Sequence, residues 1–376
     1  MSFRRTGRIW RFLIVIRRVV VAAGVATLLA FLCAALFIGL RCYSGASRAQ
    51  APAPDVARAV AGLNGYRREE ASTFLTLPEW YIVYSTEEYA RFIGSNAPSG
   101  FPYVGSIRQF WRYYGAACGA TKGVYPFSAG NHLMLGVIGS SFSIEYGLKG
   151  LYETTVGRLT MWLAGRDTPE DAFAHATAVE YGTFMHTVPW YEFRFRDKLA
   201  ALWSTTPLWG PHLVRKWERK FALTAEYGAK AVYAWLIRRG SKATYGDEDL
   251  RIHAWIEHAG DHLFADGAVK QVKAIGPQSF IVTMPRYEAF TVRSLDLIGR
   301  GVRFVDVAGN DEMLLTAILP TASVPGDAGG TVILREPLVT DGATARIAVK
   351  VAVRSLHTAI TRLQAAGATI EHLYDY

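Results

Sequence analysis

The tripeptide Glu-Tyr-Gly occurs three times, at 145–147, 180–182 and 226–228. In a chain of 376 residues with this composition, random order would give on the order of 0.1 occurrence. Two copies extend further, as Glu145-Tyr-Gly-Leu-Lys149-Gly-Leu-Tyr152 and Glu226-Tyr-Gly-Ala-Lys230-Ala-Val-Tyr233. Positions i, i+4 and i+7 share one helix face, so each copy lines up a carboxylate, an ammonium and a phenol. Such a stripe can hold an anionic or polar group, or act as acid or base with an orienting cation beside it. The glycine at i+2 costs about 1 kcal/mol inside a helix, which predicts close approach of another backbone or a ligand there.

The third copy departs from the pattern, with Phe184 where lysine is expected and His186 two residues later. A shared cleft would therefore draw on Glu145, Lys149, Tyr152, Glu180, His186, Glu226, Lys230 and Tyr233, with the third copy supplying something different. The competing reading is a packing repeat, in which each stripe is a surface pair worth a few tenths of a kcal/mol.

No metal centre and no cofactor can be assigned. His175 and His186 are eleven residues apart, about 16 Å along a helix, too far to share an ion. His258 and His262 have i, i+4 spacing, but Ala259 stands where the zinc-hydrolase version needs glutamate, and no third ligand follows from spacing. The three glutamates and His186 lack the Glu-x-x-His pairing of a di-iron bundle. The run Gly115 to Lys122 has the wrong spacing for a phosphate loop, and no nucleophile elbow, dinucleotide fingerprint or Cys-x-x-Cys is present.

The elements that must carry these residues begin with an apolar run, Val19 to Leu40, which is uncharged and about 33 Å long as a helix. Arg4, Arg5, Arg8, Arg11, Arg17 and Arg18 precede it, which predicts a single-pass anchor with the N-terminus in the cytoplasm and the bulk outside an inner membrane, on the periplasmic or extracellular side. Those six arginines hold most of the net charge of +9. Too little is left for a phosphate-tracking surface, so no nucleic-acid partner is expected. Ala49-Gln50-Ala51 resembles a signal-peptidase site, but the apolar run is longer than a signal core and Pro52 would follow the cut. Arg41 before Cys42 excludes a lipoprotein signal. Cys42 and Cys118 can bridge outside the membrane, although free or buried thiols are the simpler expectation.

The fold class expected is α+β, with a cytoplasmic tail (1–18), a transmembrane helix (19–40), a linker (41–61), a mainly helical, aromatic-rich, membrane-proximal domain (62–268) and a ferredoxin-like domain (269–376). Helical spacing marks 85–95, 132–164, 168–187, 212–239 and 247–264, and Thr168-Pro-Glu-Asp is a helix start. Leu133 to Leu148 is apolar but holds serines and Glu145, which predicts a buried or interface-dipping helix, not a second span. Strands at 278–285, 302–308, 313–319, 331–334, 345–353 and 368–374, with helices at 287–298 and 355–366, fit a split β-α-β sandwich with one extra strand.

That fold predicts no chemistry. The functional expectation is a non-enzymatic protein that binds a lipid-like or isoprenoid ligand, a membrane lipid, or a membrane-protein partner. The alternative is an enzyme acting on an amphiphile through the Glu, Lys and His groups of the repeats.

Overall fold

The computed structural model of the chain describes positions 14, 17, 18, 21, 24 and 25, and residues 27–45, 47, 53–67, 73–165, 167–187, 189–240, 250–264, 267–323 and 328–375. The fold is α+β: a helical bundle precedes two four-stranded antiparallel sheets.

The first described helix, α1, covers 27–37 and widens into a π turn at Ile38–Cys42. It lies along α5 (Ala129–Tyr152) where small residues allow it. A side chain at Gly136 would meet Ile38 at 3.1 Å, and the Ser140 hydroxyl donates to the Ala30 carbonyl at 3.5 Å. Phe37 sits edge-on to Trp111 of α4 (Tyr103–Thr121), with ring centroids 5.1 Å apart. Cys42 is bonded to Cys118 of α4, where free thiols were the simpler expectation. The docking of α1 on α4 brings the two together.

No helix among the described residues is long and apolar enough to cross a membrane. The span expected at 19–40 is therefore not seen there, and residues 19, 20, 22, 23 and 26 of it lie outside the described set. What is described of it is docked along one side, with Leu28, Leu29, Leu32 and Leu36 exposed on the other.

The helices expected at 85–95, 132–164, 168–187 and 212–239 are found as α3 (Leu77–Ser95), α5 with α6 (Arg158–Ala164) joined by a π turn at Glu153–Gly157, α7 (Pro169–Phe184) and α9 (Leu213–Gly240). Thr168 caps α7 in a reciprocal box with Asp171. Helices α4 and α8 (Phe195–Thr205) were not anticipated. Glycines at 105, 115 and 119 blunt the helical signal of α4, but burial of Phe110, Tyr113, Tyr114 and Ala117 decides its conformation. The expected linker, 41–61, holds a short helix α2 (Pro54–Ala59) whose Val56 is buried with Tyr66 against the first sheet. The Tyr66 hydroxyl donates to Asp306 at 2.6 Å.

The stretch 247–264, expected as helix, instead carries β1 (Arg251–Glu257). Ile252, Ala254 and Ile256 face the core, while Trp255 is buried on the other face under Val56 and Tyr66. Burial on both faces removes the polar alternation that marks a strand.

Next come β2 (Lys270–Gly276), β3 (Ser279–Pro285), α10 (Glu288–Gly299) and β4 (Arg303–Val307), then β5 (Glu312–Pro320), β6 (Thr331–Pro337), β7 (Thr344–Ala352), α11 (Leu356–Ala365) and β8 (Thr369–Leu373). The sheet orders are β2-β3-β1-β4 and β6-β7-β5-β8, the same plan used twice. In each sheet the crossover β3-α10-β4 or β7-α11-β8 flanks a middle strand antiparallel to both, which makes a split β-α-β. The strands expected in one sheet are thus divided between two. Their inner faces and both helices share one core, built from residues such as Phe290, Leu297, Leu315, Val349 and Leu363.

The outer face of the second sheet packs on α3 and α4 through Leu314, Ala348 and Tyr374. Arg346 of β7 is buried there against Glu88 of α3 at 3.1 Å and Glu371 of β8 at 2.6 Å, over the Tyr84 ring. A buried guanidinium with two carboxylates fixes how bundle and sheets meet.

Candidate functional site

The extended repeats lie on α5 and α9, which cross so that their polar stripes face each other. Lys230 reaches Glu145 at 2.8 Å and Glu226 at 3.2 Å, and Lys149 reaches Glu226 at 3.1 Å. Glu and Lys of each copy therefore pair mainly across the helices. Lys149 also stands 4.2 Å from the Tyr89 ring centroid, and Lys230 5.1 Å from that of Tyr181.

These four side chains line a cavity of about 140 Å³ between α3, α5, α7 and α9. At ~10–15 Å³ per water it has room for on the order of ten waters. The tyrosines of all three tripeptides, Tyr146, Tyr181 and Tyr227, form part of its wall.

Burial works to raise the Glu226 carboxyl, but the ammoniums of Lys149 and Lys230 overcome it and hold it down at about 2. The lysines respond in kind. Burial opposes their charge, yet Glu226 lifts Lys149, and Glu145 with Glu226 lifts Lys230, above the ordinary lysine value.

A second tier of buried charges closes the cavity toward the start of α9. Arg215 reaches Asp171 at 2.7 Å and Glu218 at 2.9 Å, and Arg219 reaches Glu153 at 2.8 Å. Lys216 and Lys220 meet at Glu170 of α7, at 3.1 and 3.2 Å. Gly157 makes room for this tier, because a Cβ there would stand 2.5 Å from the Glu153 carboxylate. Sequence reasoning missed these residues, since Arg215-Lys-Trp-Glu-Arg-Lys220 has the look of a solvated helix start. The signal was Trp217 and Phe221, which break any polar face in that run.

The remaining candidates lie elsewhere. Tyr152 donates to Glu218 at 2.9 Å and belongs to the second tier. Tyr233 touches the Ser141 hydroxyl at 3.4 Å and is exposed. Glu180 pairs with Lys198 of α8 at the surface. His186 lies between bundle and sheets, 2.7 Å from Glu87 of α3 and 3.0 Å from Glu288 of α10. The hydrogen bond to Glu87 holds its imidazole above the ordinary value against burial, and the charges of Glu87, Glu288 and Glu371 add to it.

The repeat glycines match the expectation in one case of three. A Cβ on Gly182 would meet Glu87 at 3.3 Å, whereas Gly147 and Gly228 have nothing within 4 Å. Among the described residues the one cluster of three metal-ligand types is Cys42, Cys118 and His132, and its two sulfurs are bonded to each other. Comparison with known proteins finds no matching family model, no similar curated protein and no similar solved structure.

Proposed function

We propose that this is a membrane-associated, non-enzymatic protein whose helical bundle takes the headgroup of a lipid-like or isoprenoid amphiphile, while its terminal sheets serve assembly with a membrane partner. The observation that carries the reading is the tyrosine-walled cavity where the two Glu-Tyr-Gly stripes close on each other. Glu145, Glu153, Asp167, Asp171 and Glu226 line it together with Lys149, Arg215, Arg219 and Lys230. Fixed charges of both signs, with one carboxylate in excess, favour a zwitterionic or uncharged polar headgroup over a bare anion.

The electrostatics support binding over proton transfer. A general acid or base works best near the operating pH. Glu226 held at about 2 and lysines lifted above their usual value stay charged throughout the neutral range. His186, the group best suited to move a proton, is engaged elsewhere.

The apolar run behind six arginines supports attachment to an inner membrane. The Cys42–Cys118 bridge accords with an oxidising compartment. The two split β-α-β units support a ferredoxin-like reading of the terminal region, used in duplicate.

The test is mass spectrometry of lipid co-purifying with the detergent-solubilised chain, beside the double variant Lys149→Met with Glu226→Gln. The variant removes one cation and one anion together. Loss of the bound amphiphile with circular dichroism unchanged is the expected result. Equal lipid content in both proteins would refute the cavity as its site.

A further inference from the structure

Helix α9 is inverted relative to a helix in water. Arg215, Lys216, Arg219 and Lys220 are 1%, 2%, 3% and 1% exposed, while Val214, Trp217 and Phe221 beside them are 55%, 40% and 67% exposed. A surface helix of a soluble domain turns its charges out and its aromatics in. The inversion runs the length of the helix: from Val214 to Leu236, about 33 Å at 1.5 Å per residue, no charged residue is exposed. The stripe ends at Arg238 and Arg239, the latter over the Trp235 ring at 4.6 Å. That is the arrangement of a membrane-interface belt.

The stripe is not isolated. The His212 ring meets the Ala164 carbonyl and Arg215 donates to the Gly157 carbonyl, so the start of α9 adjoins the end of α6. There Leu159, Trp162 and Leu163 are 54%, 79% and 60% exposed. The same long helix exposes Leu148 and Leu151 upstream. Between Leu148 and Leu163 the one exposed charge is Arg158, whose long stem can carry its head to water. At its beginning this helix holds α1, whose outward leucines continue the apolar face. Isolated exposed leucines need no explanation, but a contiguous face over three helices does.

The opposite side of the bundle fixes the orientation. Gln109 of α4 donates to the Pro337 carbonyl at 2.5 Å, and Arg112 reaches Glu336 at 2.8 Å, both on β6, an edge strand of the second sheet. A bundle standing upright through a bilayer would carry that open edge into hydrocarbon, where unpaired backbone groups are not tolerated.

We propose that α1, α5–α6 and α9 lie in the plane of the membrane, their outer face sunk into the acyl region of one leaflet and the sheets held away in water. The occupant of this face is the lipid bilayer, argued from the inward turn of every charge between Val214 and Leu236 of α9 and from continuity with the apolar segment behind the arginine tail. The inference rests on the membrane-associated reading above, but not on any ligand in the cavity.

Site-directed spin labelling in lipid nanodiscs tests it. Cys33→Ser removes the free cysteine and leaves the bridged pair intact. Single cysteines then replace Leu163, Val214, Phe221 and Leu236, with Val272 on β2 as the aqueous control. Collisions dominated by oxygen at the four bundle positions, at one common depth, and by a water-soluble nickel complex at Val272, are expected. Nickel-dominated labels at Leu163 and Phe221 would overturn the proposal, as would labels shielded from both reagents, which would mean a second copy or another protein covers the face. A depth that changes steadily from Val214 to Leu236 would overturn it too, by showing a helix that crosses. None of these results alters the lipid content read for the cavity, so the two readings fail separately.

Discussion

Replacing Glu226 with glutamine removes the charge on which both cavity lysines converge. The carboxyl is held at about 2 against an ordinary glutamate value of 4.5. At 1.36 kcal/mol per unit this difference is worth about 3 kcal/mol to the folded state. The side chain keeps 23% of its surface in solvent, so that figure is an upper one. Because the folded value is the lower of the two, the contribution is complete above the unfolded value of 4.5, declines as pH falls and is gone below about 2. Glu226→Gln should therefore be less stable than the parent by about 2–3 kcal/mol at neutral pH. The gap should hold steady down to about pH 5 and narrow below it. Urea denaturation of the detergent-solubilised proteins at a series of pH values from 7 downward measures it. A gap that ignores pH, or a variant as stable as the parent at pH 7, would show that the pairs across α5 and α9 do not hold Glu226 as described.

Other expectations follow from the same geometry. His186 faces Glu87, Glu288 and Glu371 as well as His372, and only the imidazolium can donate to Glu87 and Glu288 at once. Its folded value is raised, so the stabilisation is present below the ordinary histidine value and is lost as pH rises through the raised one; the thermal midpoint should fall across that window in the parent and not in His186→Gln. Arg346→Met leaves Glu88 and Glu371 without their buried counter-charge, costing roughly 3–5 kcal/mol by chemical denaturation and exposing the junction of bundle and sheets to limited proteolysis. Cys118→Ser opens a bridge between residues 76 apart, which should lower stability by roughly 4 kcal/mol in the chain-entropy account, measured against the parent with and without reductant.

The central pairing was partly legible in the sequence. The i, i+4 spacing placed Glu145 with Lys149 and Glu226 with Lys230 on helix stripes. It could not show that each lysine takes its nearest carboxylate from the other helix, which depends on how α5 and α9 cross. Glu180 carried the same local signal, but α7 turns it to the surface and toward α8. The second tier was hidden because charges at a helix start read as solvated when the apolar partner of that helix face is unknown. Most of the terminal strands were visible from β-branched alternation. The strand at 251–257 was not, because a cover drawn from residues 53–67 buries its second face, and no local pattern records a cover that distant.

The repeated β-β-β-α-β plan has one further consequence. Helix α10 reaches into the second sheet, where the Thr291 hydroxyl meets His372 and the Leu373 backbone, and α11 packs against β4 of the first. Each half thus finishes the other's interior. A lone half, made as a separate polypeptide, would leave a greasy flank open to water and should recruit a twin to close it. The present arrangement has the form of such a pair of twins fused head to tail into one continuous strand of peptide.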